Sequence, residues 1–305
     1  VLGWFGDKKI NVNAPKPPGR APDQSGGSCA AADSSIVTAK PEGNAMLRLA
    51  FVFALSTAAV FAADKPVVPD WAQPGSATHT QVAPPTDFHR ATTTFKTPIG
   101  VFDGQSDIGS AVVPGRASFD KATGAYTIVS AGYNVWYTRD EFRYLWKQMS
   151  GDVSLAADIA YPDPKGYDDR KAVLIIRQSL DDDSAEAIVA LHGGGMVHLA
   201  QRPATGARVK DMEYRMGGRG RPGGKSPDDL VPVIAKRIGI EKRGDEFALW
   251  ISLEGEPMHQ FGPPITLKLK APFYVGIGFC SHLPDRADTA VLSNVVLENA
   301  AGKVK

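Results

Sequence analysis

Cysteine is nearly absent: Cys29 and Cys280 are the only two in the chain. With Cys29 in a segment expected to be missing from the mature protein, no internal disulfide can staple the fold, and stability has to come from a packed core. Net charge is equally scarce. The formal value is +1, and the first 62 residues carry six Lys/Arg against four Asp/Glu, which leaves the remainder close to neutral. Such a body has no electrostatic reason to bind nucleic acid or a membrane surface. No apolar run reaches the roughly 20 residues of a transmembrane helix. No window of helical length carries a sustained apolar stripe, and no repeat period is visible, which argues against a propeller.

What is present begins with an export pattern. In "MLRLAFVFALSTAAVFAADKP" a basic Arg48 precedes an apolar run from Leu49 to Phe61, and Val60-Phe61-Ala62 stand ahead of Ala63. This reads as a secretory signal over residues 46–62 with cleavage after Ala62 or Ala63, so the mature chain is periplasmic or extracellular and does not span the membrane. Residues 1–45 are rich in Gly, Pro, Ser and Ala. The expectation is that translation starts at Met46 and that the 45 residues before it belong to an upstream mis-start. Residues 63–87 ("PVVPDWAQPGSATHTQVAPP") read as an extended linker, residues 88–300 as the folded domain and 301–305 as a tail.

Within 88–300 the dominant signal is alternation with period two. Phe142, Tyr144 and Trp146 share one side of "EFRYLWKQM". Val153, Leu155, Ala157 and Ile159 share one side of "DVSLAADIA", and Phe247, Leu249, Ile251 and Leu253 one side of "EFALWISLE". Turn clusters such as "LDDDS", "HGGG", "KRGDE" and "HLPDRAD" separate the runs. Many one-sided strands without helices predict an all-β jelly-roll sandwich of two antiparallel sheets, with about eleven or twelve strands.

The runs "VFDGQSDIGS", "LWKQMSGDVSLAADI", "RKAVLIIRQSLDDDSAEAIVALHGGG", "KRIGIEKRGDEFALWIS" and "APFYVGIGFCSH" together resemble exported bacterial β-sandwich domains. These belong with the concanavalin A-like lectin and glucanase superfamily, copies of which occur ahead of TolB-type propellers. The resemblance covers about residues 88 to 300 and implies the fold. It does not carry a catalytic site, because the Glu-x-Asp-x-x-Glu strand of the glucanases is absent. The acidic groups Asp163, Asp168, Asp169 and Asp181 to Asp183 fall in turns instead.

Candidate ligand-binding residues come from the remaining polar and aromatic positions. Across the "HGGG" turn, whose glycines would supply positive φ, His192, His198 and Arg202 share one face, while Val189, Leu191, Val197 and Leu199 form the opposite one. Two histidines fall short of a catalytic zinc site, so the polar face, with Arg177, reads as a ligand platform. "AGYNVWYTRDE" adds Tyr133, Trp136 and Tyr137. Trp250 lies opposite its strand's core residues, and "MHQFGPP" contributes His259. Sugar rings stack on Trp and Tyr while their hydroxyls bond to His, Arg and amides. "RDEF" and "DMEYR" read as exposed strand edges, and the arginine-glycine segment Arg215–Lys225 as a solvated loop.

The expected function is therefore an exported, non-catalytic β-sandwich that binds a polysaccharide or another cell-envelope component. The alternatives are a glycoside hydrolase or lyase with an unfamiliar site, and a periplasmic protein-interaction module. No cofactor is expected, with calcium at the aspartate turn left open. The sequence carries no signal of oligomeric state.

Overall fold

The computed structural model describes residues 90–215, 219–220, 230–231 and 234–304. The segments 1–45, 46–62 and 63–87 lie outside them, as does most of Arg215–Lys225. Among the described residues there is no helix, and none long and apolar enough to cross a membrane.

Two antiparallel sheets make the fold. The first is ordered β1 (Thr93–Phe95), β2 (Gly104–Ile108), β7 (Phe142–Met149), β19 (Phe273–Cys280), β9 (Lys171–Arg177), β10 (Glu186–His192), β11 (Met196–Arg202) and β12 (Lys210–Arg215). The second is ordered β17 (His259–Gln260), β16 (Glu246–Ser252), β15 (Arg237–Arg243), β8 (Val153–Ala160), β20 (Leu283–Asn299), β4 (Ala125–Gly132) and β3 (Arg116–Asp120). Short strands β18 (Ile265–Thr266) and β21 (Gly302–Lys303) pair with β16 and β20, so the expected tail belongs to the sheet. Two ribbons complete the set: β5 (Val135–Trp136) with β6 (Arg139–Asp140), and β13 (Arg219–Gly220) with β14 (Leu230–Val231). Thirteen of these strands have five or more residues, close to the number expected from the alternation.

The main core lies between the sheets. Leu174, Ile176, Val189, Leu191, Val197, Leu199, Val275 and Ile277 face Leu155, Ile238, Ile240, Phe247, Leu249, Ile251 and Leu292. These are the inward positions that the alternation assigns for β8, β10, β11 and β16. Burying such side chains away from water is the main stabilising term available to a domain whose lone cysteine is free.

The eight-stranded sheet is buried on its other face too. Ile108, Phe142, Tyr144, Trp146, Val173, Ile175, Ile188, Ala190 and Ala200 form a second cluster there, with Val135 and Val209 packed onto it. Every residue of β9 and β10 is buried as a result. Gly276 and Gly278 of β19 make room for the aromatics: a Cβ at Gly276 would stand 2.8 Å from Tyr144 and 1.9 Å from the Leu145 carbonyl oxygen, and one at Gly278 2.7 Å from Phe142. Phe142, Tyr144 and Trp146 are thus buried together, but beneath the outer cover. Leu145 and Met149 are the residues of β7 that face the other sheet.

Candidate functional site

The cover over the eight-stranded sheet is the β5–β6 hairpin. Backbone hydrogen bonds tie it down from Val209 to the Tyr137 carbonyl (2.8 Å) and from Asp140 to the Asp182 carbonyl (2.8 Å). Arg177, Arg202 and Glu186 beneath it, and its own Asp140, are all fully buried. Arg202 Nη2 donates to Asp140 Oδ1 at 2.6 Å. Its Nη1 donates to Asp140 Oδ2 at 2.8 Å, Glu186 Oε1 at 2.8 Å and the Ser184 carbonyl at 2.9 Å. Arg177 Nη2 reaches Asp140 Oδ2 at 3.3 Å and the Asp181 carbonyl at 2.5 Å. Two guanidinium groups thus share two carboxyl groups, and such mutual pairing is the condition for ions to survive burial. Burial works against the Arg202 charge, yet Asp140 and Glu186 hold it above its ordinary range, while burial pushes Glu186 up despite its arginine neighbours.

Register places the sequence-predicted platform here and closes it. Arg177 pairs with Glu186, and Glu186 with Arg202, in one row across β9, β10 and β11. His192 and His198 share the same outer face, as expected, with His192 Nε2 and His198 Nδ1 3.2 Å apart. Tyr133, Tyr137, Arg177, His192, His198 and Arg202 are all buried, and Trp136 is half-buried. The expectation that this face lies open is corrected: the chain's own hairpin fills it. Reading "RDEF" as an exposed edge is corrected as well, because Arg139, Asp140 and Glu141 are buried. Of the "HGGG" glycines only Gly195 takes a positive φ (84°). A Cβ at Gly193 would instead meet Arg170 Nε at 2.7 Å.

At the rim of the hairpin Asp169, whose side chain is 41% exposed, stands with Oδ1 3.8 Å from His192 Nδ1. The His192 imidazole beside it holds its carboxyl down at about 2, against the burial that would raise it. Burial, with His192 and Lys171 beside it, keeps the His198 imidazole well below its usual range and therefore neutral. Lys171 donates to Asn134 Oδ1 at 2.6 Å and lies 5.4 Å from the Trp136 ring, with His198 5.2 Å from the same ring. These contacts fasten the hairpin to β9 and β11. Among the described residues no group of three or more His, Cys, Asp or Glu is placed to hold a metal ion. Asp163, Asp168, Asp169 and Asp181 to Asp183 occupy the turns assigned to them.

The outer face of the nine-stranded sheet is different. Trp250 on β16 is half-buried and stands opposite Gly239 of β15, which stands opposite Ala156 of β8. On the β15 side of the row its neighbours are thus small, and on the β17 side it stands opposite Gln260. Burial raises the Glu241 carboxyl in the neighbouring row, countered by a hydrogen bond from Arg243 Nε at 2.6 Å. In the row on the other side of Trp250, about 7 Å along the strand, Ser252 pairs with Arg237 and Arg237 with Asp158. Asp158 Oδ1 accepts from Arg237 Nη1 at 2.6 Å, and its Oδ2 accepts from Asn294 Nδ2 at 2.7 Å. Asn294 has φ 49° within the irregular stretch of β20 between Ser293 and Val296.

Asp158, Arg237, Ser252 and Asn294 line a depression of about 400 Å³, completed by Lys236, Glu256 and Lys303, with Trp250 one row outside it. His259 and Gln260 form β17 at its β16 side, with Gln260 opposite Trp250 and both exposed. The structure therefore brings two predicted residues, Trp250 and His259, to the same edge of this sheet, apart from the other seven. Asp158, Arg237 and Asn294 were not singled out from the sequence. The signal for the first two was an ionic residue on the outward phase of a core strand, but the register that joins them is set by tertiary pairing.

The chain matches no protein-family model and no curated protein. Among solved structures it is similar to a functionally unknown protein from Saccharomyces cerevisiae (14% identity, 69% of this chain and 97% of that one, TM-score 0.44). It is also similar to a carbohydrate-binding module from Bacillus subtilis (14%, 69% and 97%, TM-score 0.38). A third is an alginate lyase from Klebsiella pneumoniae (14%, 61% and 84%, TM-score 0.38). At these scores no role passes from any of them to this chain.

Proposed function

We propose that the chain is an exported, non-catalytic β-sandwich that binds a saccharide of the cell envelope on the outer face of its nine-stranded sheet. The observation that carries this reading is the placement of a half-buried, outward-phase Trp250 one row from the Asp158–Arg237–Asn294 set, beside an open polar depression. An indole face offers a surface for the C–H side of a sugar ring. A carboxylate, a guanidinium and an amide, mutually oriented by hydrogen bonds, offer donors and acceptors to its hydroxyls. The depression falls within the size range of small-ligand sites. Export rests on the signal pattern of residues 46–62.

The test is a polysaccharide and glycan panel screened with the wild-type mature chain, followed by Kd measurements on variants. Trp250→Ala is expected to weaken binding about two- to tenfold, and Asp158→Asn to weaken it as well by loosening Arg237. Trp136→Ala, on the covered sheet, is expected to leave Kd unchanged. Absence of binding across a broad panel, or loss with Trp136→Ala but not Trp250→Ala, contradicts the proposal.

A further inference from the structure

The charges around the depression are unevenly committed. Both of its carboxylates are engaged by the chain itself: Asp158 by Arg237 and Asn294, and Glu256 by the backbone amides of Leu253 (2.5 Å to Oε1) and Glu254 (2.8 Å to Oε2). Those backbone hydrogen bonds hold the Glu256 carboxyl below its ordinary range, so it stays an anion fixed to the 252–256 turn. The cations are not matched in the same way. Arg237 is spent on Asp158, but Lys236 and Lys303 are exposed and form no ion pair within the described residues. Lys236 Nζ stands 3.7 Å from where a Cβ on Gly255 would be, over the turn at the rim. Lys303 lies opposite Glu298 in the β20–β21 register, the one carboxylate that pairing sets beside it.

Resting on the proposed saccharide-binding reading, we infer that the site prefers uronate-containing saccharides, whose carboxylates meet the Lys236 and Lys303 ammonium groups while Trp250 and the Asp158 set hold the ring. An incoming carboxylate finds two ammonium groups free to donate, and it displaces no existing ion pair to reach them. A neutral sugar gains nothing from either lysine. Because both lysines are exposed, the preference is electrostatic and screened by salt.

The experiment compares a hexagalacturonate with its carboxyl-reduced neutral counterpart, which keeps length and linkage but removes the charge. Kd is measured by calorimetry on the wild-type chain, on Lys236→Ala with Lys303→Ala, and on Trp250→Ala. The expected result is tighter binding of the acidic form, by about three- to tenfold at low ionic strength and less at high salt. The double lysine variant is expected to abolish that difference without weakening the neutral form, and Trp250→Ala to weaken both. Equal affinity for the two forms, or a difference that survives removal of both lysines, overturns the inference and leaves the saccharide reading standing. Failure of both forms to bind, with no other saccharide of the panel bound, removes the reading and the inference together.

Discussion

Single residues show how burial sets chemistry in this fold. Cys280 lies fully buried on β19, and burial pushes its thiol up to about 12, so it is a packing residue and not a nucleophile. In the folded chain Cys280 is expected to resist alkylation by iodoacetamide at neutral pH and to react at once in denaturant; rapid modification of Cys280 without unfolding would contradict this. Glu141 is a second case. Burial raises its carboxyl from 4.5 to about 7, against Arg90, whose Nη2 lies 3.2 Å away. A group whose folded pKa lies above its unfolded one stabilises most below pH 4.5, and the contribution is lost as pH rises through 7. Glu141→Gln should therefore gain stability relative to wild type across that window, by on the order of 2–3 kcal/mol, in denaturation curves taken from acid to alkaline pH. A constant difference at every pH would show that Glu141 does not titrate there. His198 works in the opposite sense: kept neutral when folded, it costs stability as pH falls below 6.5, where the unfolded chain takes up the proton.

At the scale of elements, the β5–β6 hairpin is the feature that decides what the first sheet can do. Its Asp140 carboxylate is the only hairpin side chain reaching both Arg177 and Arg202 among the hydrogen bonds of the described residues. Removing one partner of a buried ion cluster strands the others, at a cost of about 3–5 kcal/mol. Asp140→Ala is expected to show that loss in equilibrium unfolding, together with faster amide exchange over 134–141 than in the rest of the sheet. If exchange rises uniformly instead, the hairpin is part of the global unit and not a separately latched cover. The sequence made the inward strands readable because alternation is local: Val153, Leu155 and Ala157, or Phe247, Leu249 and Ile251, need no partner to declare a face. It left the hairpin unread for the complementary reason. Asp140 looks like a surface charge until Arg177 and Arg202, 37 and 62 residues away, are brought over it. In the same way Phe142, Tyr144 and Trp146 announce burial, but a sheet covered on both sides gives no local sign of which side they take.

Over the whole molecule the two sheets have unequal outer faces. One carries a second apolar cluster, a buried arginine–carboxyl set and the histidine pair, all beneath its own chain. The other carries an indole, an oriented polar trio and lysines at a depression open to solvent. Sequence patterning placed aromatic and polar residues outward on both sheets and could not separate them, since openness depends on what folds back over a face. The account stands on the second face being the one that meets ligand. Its most direct test is a backbone amide chemical-shift map of the isotopically labelled chain, titrated with the saccharide that binds best in the panel. The account predicts perturbations clustered at 156–158, 237–239, 250–252 and 294–296. Shifts confined to 134–137, 169–171 and 198 would place the ligand under the hairpin and contradict it.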